Sequence, residues 1–180
     1  MKKFIPLIFA AACIFFNLSC NKKTKDQVNQ ATEFDISYST SLSVPSNTMS
    51  LNVPIDFTTP DVPTQSNQKF LDNKTAAELV DEIKFTKFNI SAGGGNLDFL
   101  KSLSIYVKAS GVGEQLVATK NPVPTGASSI SLDLTDVNIK TFIIQPNIQF
   151  RVTVTIDGST LNGQNLSLDE TVHVKATVLK

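Results

Sequence analysis

From residue 34 onward apolar side chains recur at every second position. Phe34, Ile36, Tyr38, Thr40, Leu42 and Val44 alternate with Asp35, Ser37, Ser39, Ser41 and Ser43. Period two with one dry and one wet face predicts a strand over 34–44. Pro45-Ser46-Asn47 reads as a turn. Met49, Leu51, Val53, Ile55 and Phe57 then form a second alternating run, with Pro54 at its polar phase, which suggests an edge or a bulge. A hairpin is the expected connection between these two runs. Residues 58–74, with Pro60 and Pro63, are expected to be loop. Thr75-Ala76-Ala77-Glu78 has the spacing of a capping box and predicts a short helix over about 76–83, with Leu79, Val80 and Ile83 on its buried side.

Further strands are expected over 84–91, around Leu103, Ile105 and Val107, and over 115–119 after a hairpin loop at 110–114. Gly93-Gly94-Gly95-Asn96 and the Pro122/Pro124 stretch read as connectors. Ile130, Leu132 and Leu134 alternate again, while 136–144 fits a helical turn or a strand. Ile148, Phe150, Val152, Val154 and Ile156 form the cleanest run, bounded by Asp157-Gly158, with a further turn at Asn162-Gly163. The last strand places Val172, Val174, Ala176 and Val178 inward, with His173 and Lys175 outward. About eight strands with one or two short helices predict an all-β fold. The expected form is an antiparallel immunoglobulin-like or jelly-roll-like β-sandwich, with a barrel as the alternative. There is no Cys…Trp…Cys framework of an antibody-type domain, because the chain has no Trp. Residues 34–180 are expected to form a single domain.

The start of the chain has another pattern. Lys2 and Lys3 precede thirteen residues, Phe4 to Phe16, with no charged side chain. That length suits the apolar core of a secretory signal peptide and is too short for a span of roughly 20 residues. The segment ends Leu18-Ser19-Cys20, which resembles the lipobox of bacterial lipoproteins, although Asn17 stands where that motif usually has Leu. By that resemblance, residues 1–19 are a lipoprotein signal peptide, and Cys20 becomes the new N-terminus and carries diacylglycerol and palmitate-type acyl chains. Ala10-Ala11-Ala12-Cys13 also matches, but cutting there shortens the apolar segment and leaves an apolar stub. In such lipoproteins Asp after the lipidated Cys favours the inner membrane, so by the same resemblance Asn21 points to the outer membrane where the cell has two. Leader and strand pattern together are similar to single-domain lipoproteins of the Bacteroidota. Residues 20–33, lipidated Cys20 followed by a polar stretch with Lys22, Lys23 and Lys25, read as a flexible tether.

Charge changes the functional picture little. Sixteen Lys and Arg against 16 Asp and Glu argue against a nucleic-acid binder, which needs a concentrated basic face. One His and two Cys leave little room for a His/Cys metal site. His173, at the polar phase of a strand, reads as an ordinary exposed His. Asp81-Glu82 and Asp169-Glu170 are adjacent pairs; in a strand Asp169 and Glu170 point to opposite faces, unsuited to shared acid–base work. Asp133, Asp136 and Asn138 offer oxygen ligands for Ca²⁺ but lack the spacing of an EF-hand loop. Tyr38 is expected in the core and Tyr106 outside, too few aromatics for a glycan platform. The expectation is no enzyme, no cofactor and no metal. It is an interaction or structural module, anchored to the membrane through Cys20 in the cell envelope and meeting a protein partner there. The alternative is a periplasmic or surface protein binding a small lipid or glycan.

Overall fold

A computed structural model of the chain describes residues 33–46, 52–156 and 163–177. The leader, Cys13, Cys20 and the tether up to residue 32 lie outside the described residues. So do Met49, Leu51, the Asp157-Gly158 turn, Asn162 and Val178. The elements are β1 (Glu33–Val44), β2 (Ile55–Thr58), β3 (Val62–Pro63), α1 (Ser66–Asp72), a 3-10 turn (Ala77–Leu79), β4 (Val80–Ala92) and β5 (Leu100–Ala109). They continue with β6 (Gly113–Lys120), β7 (Ser129–Ser131), β8 (Asp133–Leu134), α2 (Lys140–Ile143), β9 (Asn147–Ile156) and β10 (Gln164–Ala176).

One sheet runs β1-β10-β4-β7; the other runs β2-β9-β5-β6-β8, with β3 also against β9, and every pairing is antiparallel. Leaving aside the two-residue pieces β3 and β8, the rungs β1·β10, β2·β9, β4·β7 and β5·β6 fall alternately in the two sheets. They are successive rungs of one antiparallel ribbon that wraps round a core, which is the jelly roll. The predicted all-β, antiparallel sandwich is therefore what the chain forms.

The alternating runs sit where the pattern put them. Ile36, Tyr38, Leu42 and Val44 of β1, and Ile148, Phe150, Val152, Val154 and Ile156 of β9, are all buried. Phe150 packs edge-on to Phe88 and tilted against Phe85, with ring centroids 5.3 and 6.2 Å apart, at the centre of one contiguous core.

Three local expectations fail, each for a physical reason. The helix over 76–83 is a single 3-10 turn followed by strand, and Ala76 stands at its N-cap with no side-chain cap bond. The buried positions of β4 are Val80, Ile83, Phe85, Phe88 and Ile90, at steps of three and two. Both three-residue steps contain a bulge against β10, with Asp81 and Thr86 as the extra residues, so bulged strand mimicked helical spacing. Conversely, α1 lies in the expected loop, because its seven residues bury one large side chain, Phe70, and its Leu71 points outward, 65% exposed. The first two runs do not form a hairpin: β1 pairs with β10 and β2 with β9, in different sheets.

On the opposite flank, Ile130, Leu132 and Leu134 were one alternating run. The chain there serves β4 through β7, crosses at Leu132, whose N–H donates to the Phe88 carbonyl at 2.9 Å, and serves β6 through β8. Of the two readings of 136–144, the helical one holds over Lys140–Ile143, which buries Phe142 and Ile143.

The glycine run after β4 is part of the ladder. Gly93 N–H donates to the Asn165 carbonyl at 2.7 Å, and a Cβ at Gly93 would lie 2.9 Å from that oxygen. Gly94 has nothing within 4 Å of its would-be Cβ. Gly93→Ala is expected to cost about 1–3 kcal/mol of unfolding free energy, as forced overpacking does. Gly94→Ala should stay within about 0.5 kcal/mol of the parent in urea melts.

Candidate functional site: the open edge of the four-stranded sheet

Two contacts fix the direction of the β10 backbone. Gly93 N–H reaches the carbonyl of Asn165, and the Thr86 hydroxyl donates to the carbonyl of Thr171 at 3.3 Å. Both acceptors are odd-numbered residues of β10, and both donors lie on the β4 side. In an antiparallel ladder a residue's N–H and C=O point the same way, and the direction alternates along the strand. Odd residues of β10 therefore bond towards β4 and even residues towards β1.

The register, free of shifts along β1, pairs those even residues with Phe34, Ile36, Tyr38, Thr40, Leu42 and Val44. That leaves the N–H and C=O groups of Asp35, Ser37, Ser39, Ser41 and Ser43 pointing out of the sheet. All five residues are exposed, and no backbone hydrogen bond reaches them from other loops or turns among the described residues. Among the described residues β1 is thus an edge strand with a continuous row of donors and acceptors. Its only charges, Glu33 and Asp35, sit at one end, and it has no Lys or Pro, the usual guards of such an edge.

Contacts from its inner side hold the strand in place. On its wet face Ser39 Oγ donates to Asp169 Oδ1 at 2.7 Å, and Ser37 Oγ lies 3.3 Å from Thr171 Oγ1. His173, predicted to point outward, does so and stands between two carboxylates: Nδ1 is 2.8 Å from Asp35 Oδ1 and Nε2 3.7 Å from Glu33 Oε2. It ties the start of β1 to β10. On the core face Phe34 meets Phe70 of α1 edge-on at 6.3 Å, and the Tyr38 hydroxyl donates to the Thr64 carbonyl at 3.2 Å. Tyr38 is in the core, as expected.

Beneath this edge lies a group the sequence reading passed over. Asp169 and Glu170 do point to opposite faces, but Glu170 shares its phase with Leu166, Leu168, Val172 and Val174 and so faces the core. It is 1% exposed, stands opposite Tyr38 of β1 and Phe88 of β4, and neither carboxyl oxygen has a hydrogen-bond partner among the described residues. Burial first, and the Asp169 charge second, push its pKa up to about 8, so it is uncharged at neutral pH. Burial and the nearby Glu170 also raise Tyr38, which keeps its proton and its bond to Thr64.

The other candidates are spent on separate contacts. Asp133 pairs with Lys120 at 3.1 Å and Asp136 with Lys84 at 2.8 Å. Asn138 Oδ1 accepts from the N–H groups of Ile83 and Lys140. Glu82 also pairs with Lys84, whose pKa is raised by its bonds to Asp136 and Glu82, while the Asp81 carbonyl accepts from the Asn138 amide. Among the described residues no three His, Cys, Asp or Glu side chains converge on a metal position.

Tyr106 is on the outer face of its strand, yet its ring lies under the Arg151 guanidinium, 3.9 Å away. Arg151 grips Glu114 with two bonds of 2.9 and 2.6 Å and reaches Asp56 at 3.1 Å. Its hydrogen bonds hold the Glu114 carboxyl below the usual range. This clamp across four strands of the second sheet was not read from the sequence, because its members sit 37 and 95 positions apart.

Surface depressions of about 320 to 420 Å³ lie at Asp61, Lys108 and Gln145–Gln149, over Ser37, Ser39, Lys87, Asn89 and Asp169, and beside α1 at Phe70, Leu71, Ala76 and Ala77.

The raised Glu170 pKa gives a signed pH dependence. Folded Glu170 keeps its proton up to about pH 8, whereas the unfolded chain releases it near 4.5. Stability from this group is complete below that lower value and falls as pH rises, by about 1.4 kcal/mol per unit. Urea melts from pH 5 to 8.5 should show Glu170→Gln gaining on the parent with that slope. Parallel curves would contradict the assignment.

No family model matches the chain, and no curated protein matches it. Solved structures similar to it include a chain of the empty head of turnip yellow mosaic virus, with TM-score 0.28 and 9% identity over all of this chain and 90% of that one. They also include a chain of Desmodium yellow mottle tymovirus, with TM-score 0.32 and 9% identity over 82% of this chain and 84% of that one. The fold assignment stands on the strand order given above, independently of these likenesses.

Proposed function

We propose that the chain is a lipid-anchored protein of the cell envelope whose jelly roll is an interaction module, with the free edge of β1 as its contact element. The lipobox-like leader ending at Cys20 supports the anchor. The observation that carries the module reading is the outward row of main-chain groups at Asp35, Ser37, Ser39, Ser41 and Ser43. An extended partner segment gains affinity from such a row by adding a strand. The edge strand begins 13 positions after Cys20, so its start lies at the far end of the tether, within about 45 Å of the membrane. The second reading, a carrier of a small lipid or glycan, is favoured by the apolar depression beside α1, where Leu71 is exposed.

Metabolic labelling with a clickable palmitate is expected to mark the parent and Cys13→Ser and to lose the mark in Cys20→Ser. Label surviving Cys20→Ser would contradict the anchor. A photo-cross-linking residue at Ser41 should give adducts in intact cells, while one at exposed Gln115 of β6 should not. Absence of adducts at Ser41 would remove the edge as the contact element.

A further inference from the structure

We infer that the edge of β1 is built to pair with β1 of a second copy of the chain, antiparallel, about a two-fold axis through Ser39. This rests on the reading that the edge is the contact element and adds what occupies it.

Parity restricts the pairing. Bonded pairs in an added antiparallel strand must join outward-pointing residues of one copy to outward-pointing residues of the other. A two-fold axis at Ser39 pairs Asp35 with Ser43, Ser37 with Ser41 and Ser39 with Ser39, all odd residues. About ten main-chain bonds result, two per bonded pair.

The faces match as well. In that register the core-side residues meet Phe34 to Val44, Ile36 to Leu42 and Tyr38 to Thr40. Apolar faces apolar, and hydroxyl faces hydroxyl. The two four-stranded sheets then join into one continuous sheet whose wet face is hydroxyl-rich across the join.

Charge sets the direction of pairing. Glu33 and Asp35 are the only ionisable carboxylates of β1 on its wet side, and both lie at its start. Antiparallel pairing sends the two acidic ends to opposite extremes of the join. Parallel pairing would stack carboxylate on carboxylate, which is unfavourable for directly opposed like charges. Two-fold registers centred on Tyr38 or Thr40 also join odd residues to odd ones, but the first sets Ile36 against Thr40 and the second sets Phe34 against Ser46. Among odd centres, Ser39 gives the longest overlap, residues 34–44. Centring on Ser37 leaves Leu42 and Val44 without opposite numbers among described residues, and centring on Ser41 leaves out Phe34 and Ile36.

The test uses the full chain carrying Cys13→Ser and Cys20→Ser, in detergent. Ser39→Cys in that background places two thiols opposite each other at a Cα separation of about 5.5 Å, inside the range a disulfide spans. Mild oxidation is expected to convert it to a covalent dimer. Ser43→Cys faces Asp35 of the other copy, with its own counterpart about 27 Å away along the ladder, and should stay monomeric. By sedimentation, the background chain should dimerise, and Ser39→Lys, which opposes two ammonium groups on the axis, should raise the dimer dissociation constant at least tenfold. Gln115→Lys should leave it unchanged.

Cross-linking at both positions, or at neither, would overturn the proposal. So would equal weakening by Ser39→Lys and Gln115→Lys. The mass of the Ser41 adduct in cells separates this failure from that of the module reading. An adduct with a different protein keeps the module and removes self-pairing, whereas absence of any adduct removes both.

Discussion

The structure depends on one division of labour within β10: its even residues bond to β1 and face the core, and its odd residues bond to β4 and face water. A strand backbone offers its hydrogen bonds to the two sides alternately, and its side chains alternate in the same period. Joining the last strand to the first closes the roll. It also settles which groups of β1 are consumed and which are left over. Ile36, Tyr38, Thr40 and Leu42 are spent on β10; the intervening serines are not.

The same alternation places Glu170 where a Val or Leu would serve the core better. A carboxylate there would lack both water and a hydrogen-bond donor, so the group holds its proton instead. Its neighbours are consistent with a neutral group: Tyr38 keeps its proton and bonds away from it, to Thr64, and Phe88 flanks the other side. On the wet side of the same strand, Asp169, Thr171 and His173 reach sideways to Ser39, Ser37 and Asp35. β1 is therefore fixed from its inner neighbour and from below, and among the described residues no strand pairs with its outer edge. A strand already held in extended form loses little conformational entropy on pairing, which favours binding.

What could be read from the sequence follows from where period two is uninterrupted. β1 and β9 have no bulge in their alternating runs, and their inward residues were legible one by one. β4 was misjudged at its start because Asp81 and Thr86 break the period and create three-residue steps between buried side chains. The hairpin expected between β1 and β2 failed because local pattern cannot say which sheet a strand joins; only the pairing with β10 and β9 does. Glu170 was visible in principle, as the one charged residue in phase with Leu166, Leu168, Val172 and Val174. The Arg151 clamp was not, because Asp56, Glu114 and Arg151 meet only after the second sheet has formed.

Residue-resolved amide hydrogen exchange tests the parity of the β1 edge most directly. At low protein concentration, amides of Ile36, Tyr38, Thr40 and Leu42 should be slow and those of Ser37, Ser39, Ser41 and Ser43 fast. Raising the concentration should slow the serines alone. Serine amides already protected at the lowest concentration, or an alternation of the opposite phase, would contradict the account.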